Sequence, residues 1–158
     1  MATDTHVALN YNDVYLGGSP KKVEWAVLAE AVGPGDTMRL ASDGKIYACK
    51  NSDGPAAGIM ALAPGHAISA DYTVGDLCPY HPRGCGNKVV VWRQLLSAAV
   101  AMVVGNPIVV SSTDDQVQIF AYSDAAIATD TLNLRIGSCA KYHAGDASYA
   151  KLIEMILD

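Results

Sequence analysis

The chain has 158 residues, 51% of them apolar and only 17% charged, with a formal net charge of −5; ordinary soluble proteins carry roughly 25% charged residues, so this composition suits a body partly covered by further subunits. Its 11 scattered basic residues form no stripe that could follow a phosphate backbone, which excludes nucleic acid as an expected partner. The most apolar run, Leu95 to Val104, is about half of a membrane-spanning helix, and the first residues lack the basic-then-apolar layout of a secretory signal, so the expectation is a chain made in a cytosol with no membrane partner.

The length fits one domain. Residues 1–20 read as an arm that ends in the breakers Leu16-Gly17-Gly18-Ser19-Pro20. Val7, Leu9, Tyr11, Val14 and Tyr15 give it more apolar and aromatic character than a solvated tail carries. It reads either as a segment that adds a strand to a neighbouring subunit or as a frayed terminus.

Residues 21–158 read as a single β domain. Val23 to Ala29 is a strand running into the tight turn Gly33-Pro34-Gly35-Asp36. Thr37 to Ala41 and Lys45 to Cys49 form a hairpin about Ser42-Asp43-Gly44, where glycine supplies the positive φ that the turn needs. A loop of turn formers follows, Asn51 to Pro55, with Asp53 and Gly54 at its centre. Gly58 to Ala63 is a strand of small residues that lets another backbone approach. Residues 64–88 read as irregular, because their prolines and glycines argue against a helix or a long central strand. Lys88 to Arg93 is a strand, Leu95 to Val104 is either a short helix or extended chain, Asp124 to Thr131 is a loop or single turn, and Tyr149 to Leu157 has room for a helix or a strand, its place after the Gly145-Asp146 turn favouring a closing strand.

One pattern occurs twice, over about 23–75 and 95–158. Gly35-Asp36, a strand, Asp43-Gly44, a strand and Gly58-Ile59 return as Gly105-Asn106, a strand, Asp114-Asp115, a strand and Gly137-Ser138. A hairpin plus a return strand cannot close a core alone, so the two halves are expected to pack into one all-β body.

Chemistry-bearing residues are few. Cys78-x-x-His81-x-x-x-Cys85 offers three soft ligands for zinc, with His66, His143 or Cys139 as the fourth only by folding back. The same pair, Cys78 and Cys85, would staple an irregular loop as a disulfide in an oxidising setting, or remain as buried thiols with His81 bonded to a carbonyl. No Gly-x-Ser-x-Gly elbow and no phosphate loop occurs, and Cys139 and His143 lie too far apart on a strand to act as a nucleophile and base. The aspartates fall at turns, where they cap their own backbone. The expectation is a non-enzymatic protein with no metal and no cofactor.

The stretch Met38-Arg39-Leu40-Ala41-Ser42-Asp43-Gly44-Lys45-Ile46-Tyr47, followed by Ser52-Asp53-Gly54-Pro55-Ala56-Ala57-Gly58-Ile59-Met60-Ala61-Leu62-Ala63-Pro64, resembles the head decoration (cement) proteins of tailed bacteriophages, including the lambda-type decoration protein. The resemblance covers about half of the chain through the first copy and the second more loosely. It implies a β-tulip or small β-barrel, a homotrimer seated on the outer surface of the expanded capsid, the major capsid protein as partner, and an N-terminal arm (Val7, Leu9, Tyr11, Val14, Tyr15) that contacts the coat. No catalytic residue comes with it. Symmetric repetition of weak contacts would supply avidity. A virion surface or head-fibre module that binds host carbohydrate through Trp25 or Trp92 is the alternative.

Overall fold

A computed structural model describes residues 13–18, 22–93, 101–111, 116–119, 134–143 and 151–158. The described chain is all-β. Its strands are β1 (Tyr15–Gly18), β2 (Glu24–Val27), β3 (Thr37–Leu40), β4 (Ile46–Ala48), β5 (Gly58–Met60), β6 (Leu77–Pro82), β7 (Asn87–Arg93), β8 (Pro107–Val110), β9 (Val117–Ile119), β10 (Arg135–Cys139) and β11 (Lys151–Leu157), with one 3₁₀ turn at Asn51–Asp53.

Period-two alternation sorts these strands into inner and outer faces. In β7, Val89 and Val91 enter the larger core while Val90 and Trp92 form a separate outer cluster with Leu152; in β11, Ile153, Met155 and Leu157 point inward. The second half closes on itself. Its strands run in the order β7-β11-β10-β8-β9, and β9 meets β7 again through the parallel pair Arg93↔Val117, giving a five-stranded barrel with β1 laid on the remaining edge of β7.

The first half repeats this order strand for strand as β2-β6-β5-β3-β4, and Leu28, just past β2, meets Ile46 of β4 in parallel. Matching registers make Met38 equivalent to Ile108, Gly58 to Gly137, Val27 to Trp92 and Leu77 to Leu152. The repeating units are therefore β2–β6 and β7–β11. The sequence-based copies, 23–75 and 95–158, leave β6 and β7 outside both.

Three further expectations change. The segment 64–88 contains β6, a central strand paired with both β2 and β5 despite Pro79 and Pro82. Pro79 is tolerated because its carbonyl accepts from the Ala61 N–H, while the Ala61 carbonyl, which a residue 79 amide would otherwise reach, accepts from the Tyr72 hydroxyl at 2.7 Å. Gly58 opens β5, the small-residue strand expected there, and Gly137 lies inside β10, so neither serves as a turn residue. A Cβ there would run into the carbonyl oxygens of His81 and Ile156 respectively, so both positions need glycine for close strand approach. Finally, residues 13–18, read as part of the arm, are part of the folded body. Val14 is fully buried in the larger core and β1 pairs with β7.

The halves meet along the edge of β7 that also carries β1 and Val14 just before it. Val90 N–H donates to the Val14 carbonyl at 2.7 Å and Trp92 N–H to the Gly35 carbonyl at 3.0 Å, while Asn51 N–H donates to the Ser111 carbonyl at 2.9 Å. Ile59, Cys49 and Ala56 of the first half also enter the larger core of the second.

Candidate functional site

The predicted turn residues are spent on shape. Asp36 Oδ2 accepts from the Gly33 N–H at 2.7 Å while the Asp36 N–H donates to the Gly33 carbonyl, and Gly35 between them has φ +85°. The second half copies the device: Asn106 Oδ1 accepts from the Val103 N–H at 2.8 Å, the Asn106 N–H donates to the Val103 carbonyl, and Gly105 has φ +89°. Asp43 accepts from the Lys45 N–H and from the Tyr47 hydroxyl, and the first of these bonds, with the second adding to it, lowers its pKa. Gly44 follows at φ +74°. Asp53 accepts from the Lys50 N–H at 2.9 Å, next to Gly54 at φ +90°.

The cysteine and histidine candidates do not converge. Cys78 lies in the smaller core with Met38 and Tyr80, whereas Cys85 packs against the larger one, and both are free thiols, which corrects the disulfide reading. His81 is buried between the halves, its Nδ1 3.0 Å from the Lys22 carbonyl and its ring stacked on Tyr15 at 5.8 Å. Among the described residues no three His, Cys, Asp or Glu side chains are placed to share a metal ion. Burial pushes the thiols of Cys49 and Cys78 up to about 11, with Asp53 and Asp76 adding to it, and raises that of Cys139. Such thiols stay protonated at neutral pH and are poor nucleophiles. His143 is equally committed, since its Nε2 accepts from the Glu154 N–H at 3.0 Å.

What is left open is apolar surface. On the outer face of the first half, Trp25 is 52%, Val27 39% and Leu77 61% exposed, with Val27 and Leu77 paired across β2 and β6. Beside them lies a cleft of about 380 Å³ lined by Val23, Trp25, Ala61, Leu62, Pro64 and Pro79. At the far end of the second half, Val103 and Val104 are 54% and 63% exposed in the Gly105 turn. Trp92, the other aromatic read as a carbohydrate platform, is buried, and its indole N–H donates to the Pro34 carbonyl at 3.1 Å. It cannot line a groove.

Of the arm residues, Tyr15 is half-buried against His81 and Val14 is internal, while Val7, Leu9 and Tyr11 lie outside the described residues. Residue-by-residue reading passed over Val27, Leu77, Val103 and Val104, which look like ordinary strand and turn residues. Only the fold sets them apart, because the residues equivalent to them in the other half are buried. Among the described residues no helix is long and apolar enough to cross a membrane. No protein-family model and no curated protein matches the chain.

Proposed function

We propose that this chain is a capsid decoration (cement) protein: a self-associating, non-enzymatic β module that binds the outer surface of an expanded viral head and bridges coat subunits. The observation that carries the reading is where the distinctive residues go. Asp43, Gly44, Asp53, Gly54 and Gly58, which lie in the stretches that carry the resemblance to the decoration family, all serve backbone geometry, as Asp36 does in the turn just before them. A body whose special residues hold shape, three of whose four described thiols are buried and whose open features are apolar faces works through its surfaces. Sparse charge agrees with burial in an assembly.

In this reading the major capsid protein is the partner, the assembled form is a homotrimer made in the host cytoplasm and seated on the virion, and residues 1–12 contact the coat through Val7, Leu9 and Tyr11. The test mixes purified protein with expanded and unexpanded heads and follows co-sedimentation. Binding to expanded heads only is expected, and loss of that binding when residues 1–12 are removed supports the arm. The deletion must stop before Val14, whose side chain fills the larger core. A protein indifferent to both kinds of head overturns the proposal. The carbohydrate alternative now depends on Trp25 and a cleft whose lining offers sugar hydroxyls the Trp25 indole N–H as its side-chain polar group. A glycan screen with wild type and Trp25→Ala separates the two readings.

A further inference from the structure

We infer that the contact between the two halves is repeated between chains, so that the Gly105 turn of one copy docks on the Trp25, Val27 and Leu77 face of the next. Within one chain, the Gly35 turn of the first half lies on the outer face of the second. The Pro34 carbonyl accepts from the Trp92 indole and the Gly35 carbonyl from the Trp92 N–H, and beneath them Val90, Trp92 and Leu152 are buried. A Cβ on Gly35 would sit 3.3 Å from the Trp92 side chain.

The strand-for-strand equivalence maps the turn and the apolar face of this contact onto surfaces that a single chain leaves open. Val103, Val104 and Gly105 occupy the places of Gly33, Pro34 and Gly35; Trp25, Val27 and Leu77 occupy those of Val90, Trp92 and Leu152. The donor half of the second repeat is exposed, and a Cβ on Gly105 would meet nothing within 4 Å. The acceptor half of the first repeat is exposed too. Both are apolar, as an interface core requires.

Backbone geometry agrees. The Leu28 N–H donates to the Asp76 carbonyl across from β6, which fixes the alternation of β2 so that the Val27 N–H points away from β6, toward the open edge. The Trp92 N–H points away from β11 in the same sense and finds the Gly35 carbonyl. The Val27 N–H is thus offered to the Gly105 carbonyl of the next copy. Two internal elements have no counterpart: Leu16 of β1, which lies outside both repeats, and Ile68, which packs on the Trp92 cluster from the long connection between Ala61 and Tyr72 that the second half shortens to Ala140–His143. Val103 and Val104 bring larger side chains than Gly33 and brace a contact that lacks them.

Such a contact is heterologous, so it closes into a ring or continues as a filament. With three chains it would make a ring of six barrels. The number three rests on the proposed function; the pairing of surfaces does not.

Light scattering on the purified chain across micromolar concentrations tests the pairing. Wild type is expected to assemble, while Trp25→Glu and Val104→Glu each reduce it to monomer with an unchanged circular dichroism spectrum. An equimolar mixture of the two variants is expected to give a dimer, because each keeps one intact surface, and nothing larger. A monomeric wild type, assembly that survives either substitution, or a mixture that stays monomeric overturns the inference. Assembly that follows these rules in a protein that ignores viral heads would uphold the interface and remove the capsid reading alone.

Discussion

The indole N–H of Trp92 donates to the carbonyl oxygen of Pro34 across the boundary between the two barrels, at 3.1 Å. Both groups are buried, so this bond and the Trp92 N–H to Gly35 bond beside it replace contacts that water would otherwise make. They hold together two halves that each have a core of their own.

Removing the indole donor isolates the Pro34 carbonyl. Trp92→Phe keeps most of the ring and is expected to cost about 1–3 kcal/mol, the range for a buried group left unpaired. Trp92→Ala also opens a cavity and is expected to cost about 3–5 kcal/mol. Urea unfolding measures both. The alanine variant should broaden or split the transition, since the weakened junction lets one half unfold before the other; a Trp92→Ala midpoint equal to that of wild type would sink the claim that this contact couples them.

Glycine makes two different contributions. At Gly58 and Gly137 an added methyl meets the carbonyl of the neighbouring strand, so alanine at either position forces β5 from β6 or β10 from β11. Each substitution is expected to destabilise by about 1–3 kcal/mol or more, as overpacking does. At Gly44 the space is open and only the φ of +74° resists a side chain. Gly44→Ala is expected to cost about 1 kcal/mol. Thermal melts of the three variants should rank them in that order.

The sequence was legible where local chemistry decides structure. Asp43-Gly44 and Gly35-Asp36 announce turns because a carboxylate that caps its own backbone and a residue free to take positive φ are needed within a few positions. It was also legible at β11, where alternating Ile153, Met155 and Leu157 face inward. It misled at β6, since Pro79 breaks a strand only if its missing N–H was wanted, and the Tyr72 hydroxyl that removes the want comes from outside β6. The irregular-looking loop between Cys78 and Cys85 suggested a staple, yet strand alternation and the following turn send the two thiols to different cores. The apolar faces escaped notice because exposure of Val27 or Val104 depends on which neighbours the fold supplies.

The Tyr72 hydroxyl and the His143 ring solve one problem in two ways. They occupy equivalent positions, since the Tyr72 N–H donates to the Val32 carbonyl as the His143 N–H does to that of Met102. Where β11 has Glu154 with an N–H to satisfy, His143 Nε2 accepts; where β6 has Pro79 with none, Tyr72 donates to the Ala61 carbonyl and accepts from the Ala63 N–H. His143→Ala and Tyr72→Phe should each cost about 1–3 kcal/mol. Pro79→Ala restores an N–H beside the Ala61 carbonyl, so Tyr72→Phe should cost about 1 kcal/mol less in that background. A double-mutant cycle in urea reads the coupling, and strict additivity would refute the exchange of partners.

Alkaline pH should undo the fold through four buried acids. Desolvation by burial pushes Cys49 and Cys78 up to about 11 from an ordinary 9.0, and Tyr72 and Tyr80 up to about 12 from 10.0, with the bond to Glu24 adding to the shift at Tyr80. Each folded value lies above its unfolded value, so the folded state holds these protons more tightly than the unfolded chain. Their stabilising contribution is complete below pH 9 and is withdrawn as pH rises through 11 and 12. Tm should therefore stay level between pH 7 and 9 on account of these groups, then fall by about 2–4 °C for each kcal/mol withdrawn. Cys49→Ala should flatten the part of the decline between pH 9 and 11 and leave the later tyrosine part, which tyrosinate absorbance follows independently. Thiol labelling of Cys49, Cys78 and Cys139 at pH 8, in a Cys85→Ala background that removes the half-buried thiol, should likewise be slow in the native protein and fast in urea. A Tm that holds to pH 12, or native thiols that label at once, would mean that these side chains are not buried as described.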